Sequence, residues 1–212
     1  MDANVIDQPR DVRSGEELPI GKLTAYLYAH LPKARGDVIV KQFPSGHSNL
    51  TYFVQIGAQE FVLRRPPFGA NIKSAHDMSR EFKILSSLYP VYGKVPRPLL
   101  YCDDESVIGA PFYVMERVKG IILRAKPPKD LTLTPDVMRN LSLAFVDNLA
   151  AIHAVDYNTA GLSDLGKPSG YVARQVRGWT ERYVNAKTDD IPEMERVATW
   201  LADGKRLPPE SG

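Results

Sequence analysis

The period of apolar and polar positions changes several times along this chain, and each change marks an element. Ile20, Leu23, Leu27 and Leu31 recur at helical spacing between Pro19 and Pro32, which predicts a short amphipathic helix. From Asp37 to Phe43 and from Asn49 to Ile56 the residues are β-branched and aromatic-rich, with Pro44-Ser-Gly-His-Ser48 between them. Two strands joined by a polar loop are expected there. A third strand, Glu60 to Pro66, follows the turn at Gly57-Ala58 and stops at Pro66-Pro67, where the ladder loses its donors. Helical spacing returns with Met78, Phe82, Leu85 and Leu88, preceded by Ser74 and Asp77 as cap and first-turn acid. The turn-rich run Tyr89 to Pro98 leads to a fourth short strand, Leu99 to Cys102, and a charged turn, Asp103 to Ser106. A fifth strand begins at Ala110, stays apolar to Met115 and then becomes abruptly charged.

Beyond Gly120 the pattern is helical. Thr134-Pro135-Asp136 offers a cap and a first-position proline for a long helix whose stripe is Val137, Leu141, Ala144, Phe145, Leu149 and Ile152. A Gly-, Ser- and Pro-rich loop, 161 to 170, precedes a helix from Tyr171 to Tyr183, and Ile191 to Ala202 gives another, with Met194, Val197, Ala198 and Leu201 inward. The expected organisation is α+β: a flexible arm over 1–18, a lobe of antiparallel sheet with one helix over 19–117, and part of a helical lobe over 118–212.

Several residues carry candidate chemistry. Gly46 permits positive φ, and Ser48 and Asn49 add donors, so their loop can close over phosphates; an ordinary hairpin turn explains it equally well. By the period of two, Val62 and Arg64 share one face of the third strand, while Phe61, Leu63 and Arg65 share the other. Arg65 is expected to be solvated. Arg64 can hold a phosphate or a carboxylate, or be a plain edge-strand charge. Glu81 borders the apolar stripe of its helix and needs a partner, with Arg64 across the sheet and Arg80 or Lys83 nearby as the alternatives. The change of character at Glu116 reads as a hinge or as an edge strand turning at Gly120. His153, in a last helical turn, suits carbonyl or dipole contacts better than catalysis.

Taken in order and spacing, Ser45-Gly-His-Ser-Asn-Leu-Thr-Tyr52, Phe61-Val-Leu-Arg-Arg-Pro66, Arg80-Glu-Phe82 and Phe112-Tyr-Val-Met-Glu116 with Gly120 resemble the aminoglycoside phosphotransferase-like family of small-molecule kinases. The resemblance covers most of the chain, and it points to the branch that also occurs fused to acyl-CoA dehydrogenases, where arginine stands in the β3-lysine position. It implies a protein-kinase-like two-lobe fold and transfer of phosphate from ATP, with Mg²⁺, to a small-molecule hydroxyl. In that frame Arg64 takes the α- and β-phosphates and Glu81 orients it, while Ser48 and Asn49 cover the phosphates. The carbonyl of Glu116 and the amide of Val118 read the adenine edge, with Met115 walling the pocket. Arg174, Arg177 and Trp179 fall in the region that helps build the acceptor site; a solvated basic face with one anchoring Trp is the plainer alternative. The acceptor implied is a hydroxyacyl-CoA in the dehydrogenase-fused branch and an aminoglycoside in the resistance branch.

The chain departs from the family at its chemistry. None of His30, His47, His76 and His153 stands two residues before an aspartate, so the His-x-Asp catalytic loop has no match and no catalytic residue is assigned. Metal ligands are expected beyond residue 212, and the chain is read as ending before the catalytic loop. A catalytically inactive nucleotide-binding or regulatory module is therefore the second reading, and an α+β scaffold the third. With 27 basic and 25 acidic residues the chain lacks the basic excess that nucleic-acid binding needs, and it lacks the acidic excess that would suit a polycationic aminoglycoside. No apolar run reaches membrane-spanning length, and Cys102 is alone, which fits a reducing, cytoplasmic setting. Uncovered inner faces on the helices Val137 to Ile152 and Met194 to Leu201 are expected to promote self-association.

Overall fold

The alternating segments assemble into a five-stranded antiparallel sheet in the order β1-β2-β3-β5-β4. Its strands are β1 (Val38–Gln42), β2 (Leu50–Ile56), β3 (Gln59–Arg65), β4 (Pro98–Cys102) and β5 (Phe112–Glu116). The computed structural model describes residues 7–44, 49–69, 76–123, 131–167, 169–204 and 207. The helices are α1 (Ile20–His30), α2 (Met78–Leu88), α3 (Glu105–Ile108), α4 (Pro135–His153), α5 (Tyr171–Ala186) and α6 (Pro192–Ala202). The fold is α+β and kinase-like, as expected. By its contacts the chain divides into a unit ending at Gly161 and a second beginning at Leu162.

Strand alternation gives the sheet two different faces. Tyr52, Val54 and Ile56 on β2, Leu63 on β3, and Phe112 and Val114 on β5 join Leu23 and Leu27 of α1 in one buried cluster. Ile20, at the start of the same helical stripe, stays exposed. The opposite face, with Phe53, Val62, Arg64, Tyr113 and Met115, is the one α2 partly covers. The β2–β3 turn depends on Gly57, whose φ is +58° and whose missing Cβ leaves room for the carbonyl of Arg35.

Two local features differ from the sequence expectation. The charged turn at Asp103 to Ser106 is a one-turn helix: Asp104 caps it through the Ser106 amide, and Gly109 ends it at φ 80°. Within the segment expected as a loose arm, Arg10 exchanges two backbone hydrogen bonds with Gln42, Tyr52 donates to the Glu16 carbonyl, and Leu18 is buried. No described helix is long and apolar enough to cross a membrane.

Candidate functional site

Register decides which side chains meet. β3 and β5 pair with Arg64 opposite Tyr113 and Val62 opposite Met115, so all four project from one face. α2 lies over that face, its Phe82 ring 5.7 Å from Tyr101 and 6.2 Å from Tyr113. Asp77 starts α2 by accepting from the Arg80 amide, which puts Glu81 in the first turn, above Arg64 and Tyr113. Ser74, also expected as a cap, lies outside the described residues.

Both oxygens of Glu81 are engaged. Oε1 accepts from Nδ2 of Asn49 at 2.7 Å, and Oε2 accepts from the Tyr113 hydroxyl at 2.9 Å. The Nε of Arg64 lies 3.3 Å from the same Oε2 as an ion pair, but its N–H finds no hydrogen-bond partner among the described residues. Behind Asn49, its remaining oxygen accepts from Nδ1 of His76 at 2.8 Å, which requires the proton on that ring nitrogen. Burial pushes the Tyr113 phenol well above its usual range, Arg64 opposing and the Glu81 carboxylate adding to the rise. Tyr113 is therefore a neutral donor.

Two residues along the same face, Val62 leads to a cavity of about 470 Å³. Thr51, Val62 and Met115 form its floor, Phe43 and Pro96 its sides, and residues 116–122 its rim. Glu116 and Val118, the expected hinge groups, both line it. Among the described residues no hydrogen bond takes up the Val118 amide, whereas the Glu116 amide donates to the Arg97 carbonyl. The rim is braced by Glu60, whose Oε2 sits 3.0 Å from Arg117 and 2.9 Å from Lys119, on either side of Val118. Arg117 also lies over the Phe53 ring, 4.8 Å from its centroid. Hydrogen bonding from Lys119, with the charge of Arg117 behind it, holds the Glu60 carboxyl below the usual carboxylate range against a modest burial penalty.

A strand arginine paired with a helix glutamate shares one sheet face with a cavity lined by Val62, Met115, Glu116 and Val118, and residues 39–211 match the family model for the phosphotransferase enzyme family. The chain belongs to the phosphotransferase enzyme family. This phosphotransferase-family chain is 38% identical over 208 residues to acyl-CoA dehydrogenase family member 11 of Rattus norvegicus, covering 95% of this chain and 26% of that protein. To the Gallus gallus protein of the same description it is 40% identical over 205 residues, covering 94% and 26%. The chain thus spans about a quarter of the length of these curated relatives. Among solved structures it is similar to a Ralstonia eutropha protein assigned as an aminoglycoside phosphotransferase, with a TM-score of 0.72, 31% identity, and coverage of 92% of this chain and 55% of that one.

Within the phosphotransferase chain, the other expected residues divide. Ser48 lies outside the described residues. Asn49 is buried, with its side chain turned to Glu81 and His76. Arg65, expected to be solvated, is only 3% exposed. It lies on the Leu63 face, donates to the carbonyls of Pro66 and Ile108, and stacks on Phe68 with 3.7 Å from guanidinium carbon to ring centroid. Burial lowers its pKa, while Tyr52 and Glu16 favour the charge. Alternation had put Arg65 on the apolar face; those carbonyls and the ring let a guanidinium stay there.

In the second unit the three candidate acceptor residues do not gather. Arg174 bonds the carbonyls of Lys167 and Ser169 just before α5. Arg177 lines a groove between α5 and the end of α6, and Trp179, 63% exposed, lies outside that groove beneath the Arg182 guanidinium. His153 is exposed at the end of α4. What sequence reasoning missed is the surround of Glu81, namely Tyr113 and His76. Parity alone faces Tyr113 correctly, but pairing it with Arg64 needs the β3–β5 register.

Proposed function

We propose that this chain is the nucleotide-binding part of an ATP-dependent small-molecule kinase that transfers phosphate to a hydroxyl group. One observation carries the reading: Arg64, its side chain 30% exposed, sits as an ion pair beside the Glu81 carboxylate, with Nε 3.3 Å from Oε2, two residues along β3 from Val62 of the hinge cavity. A nucleotide fits that arrangement. The base would lie on Val62 and Met115, the hinge groups of Glu116 and Val118 would meet its edge, and the ribose would span the strand step to Arg64, about 7 Å along the strand. Arg64 would then hold the α- and β-phosphates, with Ser48 and the backbone at Asn49 covering them.

Mg²⁺ is part of the family chemistry, but among the described residues no three His, Cys, Asp or Glu side chains gather to hold a metal. The relatives' description as acyl-CoA dehydrogenase family members supports a hydroxyacyl-CoA as acceptor over an aminoglycoside, with Arg177 the better placed of the acceptor candidates because it lines a groove. A reducing, cytoplasmic setting suits the lone buried Cys102. Self-association through the uncovered α4 stripe belongs to the same reading; sedimentation showing one non-associating species at rising concentration would remove it.

Replacing Arg64 by Ala is expected to abolish stabilisation by ATP, which for a ligand at one hundred times its dissociation constant amounts to about 2.7 kcal/mol. Equal ATP-dependent shifts in melting temperature for wild type and variant would reject the site. A second reading is a nucleotide-binding module without transfer. It predicts the same shift with no phosphorylated product.

A further inference from the structure

We infer that Tyr113 and Asn49, with His76 behind the amide, are positioning residues that fix the Glu81 carboxylate, and through it the guanidinium of Arg64, before any nucleotide arrives. The inference rests on the reading of Arg64 as the phosphate-binding group. It also gives the Asn49 side chain a different task from covering phosphates.

Competition for the guanidinium is the reason such a device matters. A carboxylate held by Arg64 alone would be free to swing when phosphates take the guanidinium, and α2 would have no fixed relation to the sheet. Here each oxygen of Glu81 has its own donor from a different part of the sheet: Asn49, the residue just before β2, for Oε1, and Tyr113 on β5 for Oε2. Both donors are fixed by burial, Asn49 at 5% and Tyr113 at 2% exposure. His76 donates to the Asn49 oxygen, so the amide cannot flip without losing both bonds.

Both donors are also uncharged. A lysine in place of Tyr113 would neutralise Glu81 and loosen its hold on Arg64; a phenol and an amide satisfy lone pairs and leave the negative charge in place. Arg64 approaches through Nε, at 3.3 Å; a guanidinium has two further nitrogens, which can present a fork to phosphate oxygens. A lysine has one nitrogen and cannot divide these tasks in the same way.

The test compares ligands that do and do not reach Arg64, in the whole chain. Calorimetric titration with ATP and with adenosine is carried out on wild type, Tyr113→Phe, Asn49→Ala, Arg64→Ala and the Tyr113→Phe/Arg64→Ala double variant. Tyr113→Phe keeps the ring that packs on Phe82 and removes only the hydroxyl. It is expected to weaken ATP about fivefold or more while leaving adenosine unchanged, and to add nothing in the Arg64→Ala background. Asn49→Ala should move ATP in the same direction. Unchanged ATP affinity in Tyr113→Phe, with Arg64→Ala weakened, overturns the positioning role alone; so does an equal loss for ATP and adenosine, which is what a merely structural role predicts. Arg64→Ala binding ATP as tightly as wild type overturns the phosphate-site reading and this inference with it.

Discussion

The sheet with its first three helices and the region of α4 to α6 have similar apolar patterns and opposite burial. α1 repeats leucines at helical spacing, and Leu23 and Leu27 are fully buried against the sheet. α4 repeats Val137, Leu141, Phe145 and Leu149 with equal regularity, yet all are at least 38% exposed, and α4, α5 and α6 contain no buried residue. An amphipathic stripe specifies a helix and which side is apolar, whereas burial needs a second surface to meet it. The proposed nucleotide site lies on the well-buried region, where side chains cannot rearrange without disturbing a packed core.

The largest effect should separate the regions most clearly. Leu63→Ala removes a side chain with no exposure from the centre of β3 and is expected to cost about 3 kcal/mol in urea unfolding. Leu141→Ala, chemically identical on α4, should cost less than about 1 kcal/mol, because 38% of its surface still faces water and its removal leaves no enclosed cavity. Comparable costs at the two positions would mean that the α4 stripe is covered in solution.

The same contrast explains what could be read from the sequence. α1, the hairpin, β3 and α4 follow from local period, and the Thr134-Pro135 start of α4 stands where capping rules put it, with Thr134 accepting from the Val137 amide. Local rules also single out Arg64, Glu81 and the change of character at Glu116, and it is the family resemblance that joins them with Val118 as a set. Those rules were silent on what lies across the sheet. Tyr113 reaches Glu81 because β5 inserts next to β3 with Tyr113 opposite Arg64, a pairing between segments 49 residues apart in number. Arg65 was misjudged for a similar reason: the Ile108 carbonyl that accepts from it comes from α3, a helix read as a turn. Long-range partners decide whether a polar residue on an apolar face is stable, and one sequence does not display them.

Ion pairs offer a sharper test at smaller magnitude. Glu60 meets Arg117, whose side chain is 9% exposed, whereas Glu193 and Arg196 on α6 pair at 70% and 74% exposure. Glu60→Gln strands a mostly buried guanidinium and is expected to cost about 1–2 kcal/mol at neutral pH; Glu193→Gln should produce no measurable change. The pH profile provides a check of sign. Because the Glu60 carboxyl is held below its ordinary 4.5, its contribution is fully present above that value and is lost as pH falls through the lower folded-state value. The difference between wild type and Glu60→Gln should therefore be constant from neutral pH down to about 5 and shrink below 4. A gap that persists undiminished at pH 2 would assign the cost to packing and not to charge.

The smallest expected effect compares two helix caps. Asp77 accepts from the Arg80 amide at 3.0 Å and from the Ser79 hydroxyl at 2.7 Å, and these bonds, the Ser79 contribution first, hold its carboxyl below the usual range. Thr134 offers a neutral oxygen at 3.3 Å to the Val137 amide. A charged cap at a helix start gains from the dipole as well as the hydrogen bond, so Asp77→Ala should cost about 1 kcal/mol and Thr134→Ala about half of that. The two differ more in consequence than in magnitude. Asp77 fixes the turn that contains Glu81, and its loss should raise amide exchange through the first turn of α2 and weaken ATP binding, whereas Thr134→Ala should raise exchange only at the start of α4. Equal ATP affinity in Asp77→Ala and wild type would show that the strand donors hold Glu81 without help from its own helix, which would place the control of Arg64 in the sheet alone.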